Sequence, residues 1–123
     1  MKIKLIFQEL TALAQLDQSE TSGKIFGALP LESRVSRWGE EIYFEIPVVI
    51  KLEPGARAEV ELGELGYWPE GNAFCIFFGP TPISKNGQPR AYSEVNIIGK
   101  LLETPVEELK AIKSGAKVKI EQA

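Results

Sequence analysis

The sequence predicts a mainly β fold of about eight short strands with two helices, a barrel or a sandwich, of which a closed barrel suits the chain ends better. Three observations carry that expectation. Apolar and polar residues alternate with a period of two through most of the chain, the mark of half-buried strands. The alternation occurs at both chain ends, so first and last strands can pair and leave no edge. No rhythm of strand, long helix and strand recurs, which argues against a parallel α/β sheet. At 123 residues the chain suits one domain, 1–123, with no linker.

Ile3, Leu5 and Phe7 alternate with Lys2, Lys4 and Ile6 in a first strand. Leu10–Leu16 follows as its hairpin partner, although its composition also suits a helix. Ser19–Leu29 carries Ser and Thr caps, places Ile25, Phe26 and Leu29 at helical spacing, and is closed by Pro30. Leu31–Arg37, Ile42–Ile46, Val48–Leu52 and Ala58–Leu62 then read as short strands, with Pro47 marking an edge or a bulge. Glu53-Pro54-Gly55 is a turn, because proline presets φ and glycine accepts a positive one. Leu65–Trp68 and Ala73–Phe78 flank the turn Pro69-Glu70-Gly71-Asn72. Gly79–Pro89 is the one long irregular stretch, and Ser93–Leu102 returns to strand pattern. Thr104 and Pro105 start a second helix as N-cap and first helical residue. Ser114-Gly115 ends it, and Lys117–Glu121 is a final alternating strand.

The net charge of −3 gives no general attraction to phosphate backbones, so nucleic acid is not an expected partner. No segment reaches the ~20 apolar residues of a membrane span, no signal peptide is visible, and the expected location is the cytoplasm. The chain has no histidine. That removes His-assisted serine or cysteine nucleophiles and, with Cys75 alone, the usual zinc and copper sites. Phosphate-loop and dinucleotide motifs are absent as well, so no cofactor or metal is expected. High Glu and Lys content with a proline-stiffened chain hints at a thermophilic source.

Four motifs occur in order: Trp38-Gly39-Glu40-Glu41-Ile42-Tyr43-Phe44, Gly63–Gly71, Ala73–Pro82 and Asn96-Ile97-Ile98-Gly99-Lys100. Together they resemble the small cyclophilin-like family of archaea and bacteria, whose members are largely uncharacterised. The resemblance covers the chain from Leu29 onward and implies a closed cyclophilin-type barrel with two helices. Cyclophilin prolyl isomerases are more distant relatives. Phe77-Phe78 is similar to their Gln-Phe-Phe strand, and Ser33-Arg34-Val35 to the strand that supplies their catalytic arginine. The resemblance thus implies Arg34 and Phe78 as catalytic candidates. No Gln-Gly-Gly segment follows Arg34, however, and the pocket tryptophan and histidine of the isomerases have no counterpart in Gly79–Pro89.

The aromatic residues Trp38, Tyr43, Tyr67, Trp68, Phe77 and Phe78 suggest a groove as well as a core. Alternation puts Phe74, Ile76 and Phe78 on one side of their strand and Cys75 and Phe77 on the other. The leading expectation is a binding module for a peptide or small ligand. Its groove would be lined by Arg34, Trp38, Tyr67, Trp68, Phe78 and the 79–89 loop, with Phe77 and Asn96 as further ligand contacts. Asn96 would orient a ligand or satisfy local backbone groups. A weak prolyl isomerase is the alternative, with Arg34 donating to the prolyl nitrogen and Phe78 gripping the ring. A third reading is structural, an apolar face paired in a homodimer rather than a monomer. Glu40, Glu41 and Glu64 read as solvated charge, and Cys75 as an inert buried thiol.

Overall fold

Among the described residues, 1–103 and 106–123 of a computed structural model, ten strands and two helices follow one another. They are β1 Lys2–Ile6, β2 Thr11–Leu16, α1 Glu20–Ala28, β3 Leu31–Arg34, β4 Ser36–Trp38, β5 Glu41–Glu45 and β6 Arg57–Glu59. β7 Glu64–Trp68, β8 Ala73–Phe77, β9 Arg90–Leu101, α2 Val106–Leu109 and β10 Lys117–Gln122 complete the order. Leu10–Leu16 resolves to the strand β2, because Ala12, Ala14 and Leu16 are buried at a period of two. α1 starts as expected: the Ser19 hydroxyl oxygen accepts the Ser22 N–H at 3.2 Å. The expected helix start at Thr104 and Pro105 lies outside the described residues.

Antiparallel pairing runs in the order β3-β10-β1-β2-β9-β7-β8-β5-β4, with β6 added to β9. First and last strands do pair, Leu5 opposite Ile120. Two expectations need correction: there are ten strands instead of about eight, and the sheet is not closed into a barrel. The strand expected at Leu31–Arg37 divides at Val35 into β3, which pairs with β10, and β4, which pairs with β5. The two ends of the sheet are therefore consecutive stretches of one segment. Val35 keeps the segment on its neighbour, donating its N–H to Ala116 O at 2.8 Å and accepting the Gly115 N–H at 2.7 Å. Serine hydroxyls add contacts on both sides of the break. Ser33 Oγ donates to Glu45 O at 2.7 Å, and Ser114 Oγ accepts the Arg37 N–H at 3.0 Å.

Val48–Leu52, expected as a strand, has no ladder partner among the described residues. Its backbone is satisfied instead by two buried side chains from the sheet beneath it. The Tyr67 hydroxyl donates to Val48 O and accepts the Ile50 N–H at 3.4 Å. Asn96 Oδ1 accepts the Glu53 N–H at 2.7 Å, while Nδ2 donates to Lys51 O at 3.0 Å. Val48 and Ile50 face the core, whereas Val49 and Leu52 are exposed. Alternation was present without a neighbouring strand to use it.

The main core lies inside the curved sheet and contains Leu5, Ile25, Phe44, Leu65, Phe74, Ile76, Phe78 and Ile120. A second cluster occupies the other face of the sheet, with Val60, Ala73, Cys75, Phe77, Ala91 and Val95 buried in it. β8 separates the two and is buried along its whole length. The expected division of Phe74 and Ile76 from Cys75 and Phe77 is what the structure shows. Among the described residues no helix is long and apolar enough to cross a membrane.

Candidate functional site

The second cluster is open on one side, and the opening is a pocket. Cross-strand register builds it. Trp38 of β4 stands opposite Glu41 of β5, and Glu41 stands opposite Phe77 of β8. Two residues along, Tyr43 stands opposite Cys75, so Glu41 and Tyr43 share the face that carries Cys75 and Phe77. Trp68 comes from the end of β7. β9 supplies Ala91, Tyr92 and Val95, since a register shift against β6 sets Val95 opposite Arg57 but Arg90 opposite Glu59. The cavity bounded by Trp38, Glu41, Tyr43, Trp68, Tyr92 and Val95 measures about 170 Å³.

Its walls are held from behind. The Trp68 indole N–H donates to Ser93 Oγ at 2.7 Å, and Ser93 Oγ in turn donates to Glu70 at 3.2 Å. Gly71 lies flat against the same ring: a Cβ there would fall 2.7 Å from two of its carbons. Tyr92 stands edge-on to both tryptophans, with centroids 5.9 Å from Trp38 and 6.1 Å from Trp68 and interplanar angles of 76° and 77°. The rings meet at near right angles, as walls of a box.

Glu41 lies at the base of this box and is 6% exposed, so it is not the solvated charge expected from sequence. Burial pushes its carboxyl up to about 7, with a hydrogen bond from the Cys75 thiol pulling the other way. The thiol itself is pushed well up, first by burial and then by the neighbouring carboxylate, so it stays protonated. Among the described residues no lysine or arginine pairs with Glu41.

A stability effect follows. In the unfolded chain the Glu41 carboxyl titrates near 4.5, and in the folded protein near 7. Between those values the folded state holds a proton that the unfolded state has released. Its contribution is therefore present below about pH 4.5, is lost as pH rises, and levels off above about 7. The shift corresponds to about 3 kcal/mol. Glu41→Gln should be more stable than the natural protein at pH 8, with the gap shrinking towards pH 5, in urea melts at both values. Equal gaps at the two pH values would contradict this account.

The other predicted residues go elsewhere. Arg34 is exposed on β3, donates from its guanidinium to Gly115 O at 2.8 Å, and borders both a broad cleft formed with β10 and a separate cavity shared with Tyr43 and Trp68. Phe78 is buried in the main core, under the Arg37 guanidinium 5.0 Å from its ring centroid. The structure does not bring Arg34 and Phe78 to one cavity. Phe77, Tyr67 and Asn96 are fully buried, the last two pinning the 48–53 segment. Of the predicted ligand contacts the pocket unites Trp38 and Trp68. Sequence reasoning missed Glu41 and Tyr92 as pocket residues. The signal for Glu41 was available: it alternates in phase with Tyr43, on the strand beside one that is apolar on both faces.

The family model described as cyclophilin-like matches residues 1–121. The chain belongs to the cyclophilin-like family. A hypothetical protein of Archaeoglobus fulgidus, solved in solution, resembles this cyclophilin-like chain with 37% sequence identity and a TM-score of 0.85. That match covers 100% of this chain and 95% of the archaeal one. No curated protein matches the sequence. The cyclophilin-like assignment covers the amino-terminal hairpin as well, beyond the motifs that begin near Leu29.

Proposed function

We propose that the protein is a binding module whose aromatic pocket takes one compact group, either a small ligand or a single side chain of a peptide. The observation that carries this reading is the box of Trp38, Tyr43, Trp68 and Tyr92 left open above a buried carboxyl. A fold gains nothing for its own stability by leaving four aromatic walls around a space and setting an acid beneath them. Size narrows the ligand. An engineered apolar cavity of about 150 Å³ holds one benzene, and this pocket of about 170 Å³ is of that order. A ring or a branched head fits; a dinucleotide does not. The isomerase alternative has less support, because it needs Arg34 and Phe78 over one space, and Phe78 is buried in the main core.

Ligand-observed NMR against a library of small metabolites and short peptides tests the reading. Trp68→Ala should weaken any hit by roughly 30-fold, the effect of losing a buried aromatic anchor. Hits that bind Trp68→Ala and the natural protein alike would place the ligand elsewhere and overturn the proposal.

A further inference from the structure

We infer that the ligand of this pocket is a compact organic cation, an alkylated ammonium head seated among Trp38, Tyr43, Trp68 and Tyr92 and paired with the Glu41 carboxylate. The inference rests on the pocket being the binding site and adds the charge and class of the group it takes.

Three features of the site point the same way. First, the walls are π faces and edges. An aromatic ring carries negative charge on its face, so a cation within about 6 Å of a ring centroid is attracted, and tryptophan is the strongest such partner. Two tryptophans and two tyrosines line the space, and the perpendicular setting of Tyr92 to both indoles keeps the rings from stacking shut. Second, the base is a carboxyl that the protein leaves without a counter-charge. Buried carboxylates are ordinarily paired with arginine, lysine or several N–H donors. Among the described residues Glu41 has no charged partner and only the weak thiol donor of Cys75, on the neighbouring strand β8. Third, the site does not suit a hard metal ion. A hard metal ion requires several oxygen ligands, and here one carboxyl stands among rings. An alkylated ammonium, with its charge spread over apolar carbon, loses little hydration on entering such a box.

Proton linkage follows from the arrangement. The titratable groups facing Glu41 are the Cys75 thiol of β8, the Tyr43 phenol of its own strand and the Tyr92 phenol of β9; among the described residues no basic side chain lines the pocket. A bound cation favours the carboxylate over the carboxylic acid. Cation binding should therefore tighten as pH rises from 5.5 to 8, with uptake of the ligand expelling a proton at the lower pH. A neutral ligand that accepted a hydrogen bond from the protonated carboxyl would show the reverse dependence.

Both tryptophans of the chain line the pocket, so intrinsic fluorescence reports occupancy directly. The probes are choline and its neutral isostere 3,3-dimethylbutan-1-ol, titrated against the full chain at pH 5.5 and 8 and checked by calorimetry. Choline should bind at least tenfold more tightly than the isostere at pH 8, and the preference should narrow at pH 5.5. Glu41→Gln should narrow the preference severalfold by weakening choline more than the isostere, the ring contacts keeping the remainder. Tyr92→Ala, which changes an exposed side chain and leaves the core alone, should weaken choline severalfold. Equal affinity for the two probes in the natural protein would overturn the cation inference and leave the pocket proposal standing. Failure of both probes to bind would overturn the inference as well, and the fate of the pocket would then rest on the library screen with Trp68→Ala.

Discussion

Gly99→Ala is expected to destabilise the native sheet severely. Gly99 lies in β9 where it is paired on both sides, opposite Leu16 of β2 and Leu65 of β7. The β7–β9 register shifts immediately beyond Leu65, so Ile98 is the extra residue and the strand bends at this point. A methyl group on Gly99 would fall 2.0 Å from Gln15 O and 2.9 Å from Leu16 Cα. Those are backbone atoms of a strand held on its other side by β1, so they cannot swing aside as a side chain would. The φ of +156° adds a conformation that residues with a Cβ rarely adopt. Overpacking against yielding side chains already costs about 1–3 kcal/mol. Against immovable backbone the cost should be at least about 3 kcal/mol, a large part of the ~5–15 kcal/mol that stabilises a typical domain. The variant should show collapsed amide dispersion in NMR spectra, or a melting temperature lowered by more than about 10 °C. A melting temperature within a few degrees of the natural protein would show that β2 and β9 are less tightly apposed than described.

Asn96→Ala should be the second most damaging change. The residue is 1% exposed, and three of its polar contacts are made inside the protein. Besides the Glu53 N–H and Lys51 carbonyl, its Nδ2 donates to Thr21 Oγ1 at 3.1 Å, and Thr21 donates in turn to the Glu53 carboxylate. One amide thus joins α1, β9 and the irregular segment after Pro47. Truncation strands the Glu53 N–H and the Lys51 carbonyl, each worth about 1–3 kcal/mol when buried without a partner. A loss of about 3 kcal/mol is expected in urea melts, with faster hydrogen exchange at the Glu53 amide. Stability within about 0.5 kcal/mol of the natural protein would mean that water replaces the lost contacts.

These two residues also show how much could be read from sequence alone. Strand positions were legible wherever one face is buried and the other wet, as in β1, β2 and β10, because burial on a pleated strand imprints a period of two. The same periodicity misled at Val48–Leu52. Alternating burial needs a core below the segment, whereas a strand also needs a neighbour, and here side-chain amide and phenol groups act as that neighbour. The division at Val35 was hidden for a related reason: a change of pairing partner leaves hydrophobic pattern untouched. At the site, aromatic content singled out Trp38 and Trp68, which the structure brings to one pocket. It could not separate them from Tyr67 and Phe77, whose side chains are equally aromatic but consumed by packing. Glu41 was misread because charge is ordinarily a mark of solvent, and Tyr92 because the strand that carries it begins three residues earlier than the expected Ser93.

The break at Val35 has a consequence for the protein in concentrated solution. A sheet terminating in a long, straight strand offers a row of unpaired amides on which another molecule can add a strand. Here the terminal strands are only four and three residues long, and each continues directly into the other. Growth on either side would have to displace the chain's own next residues. At these two ends the sheet should therefore resist strand-by-strand fibril assembly, the path of the backbone adding to the protection that the charges of Glu32, Arg34 and Arg37 already give.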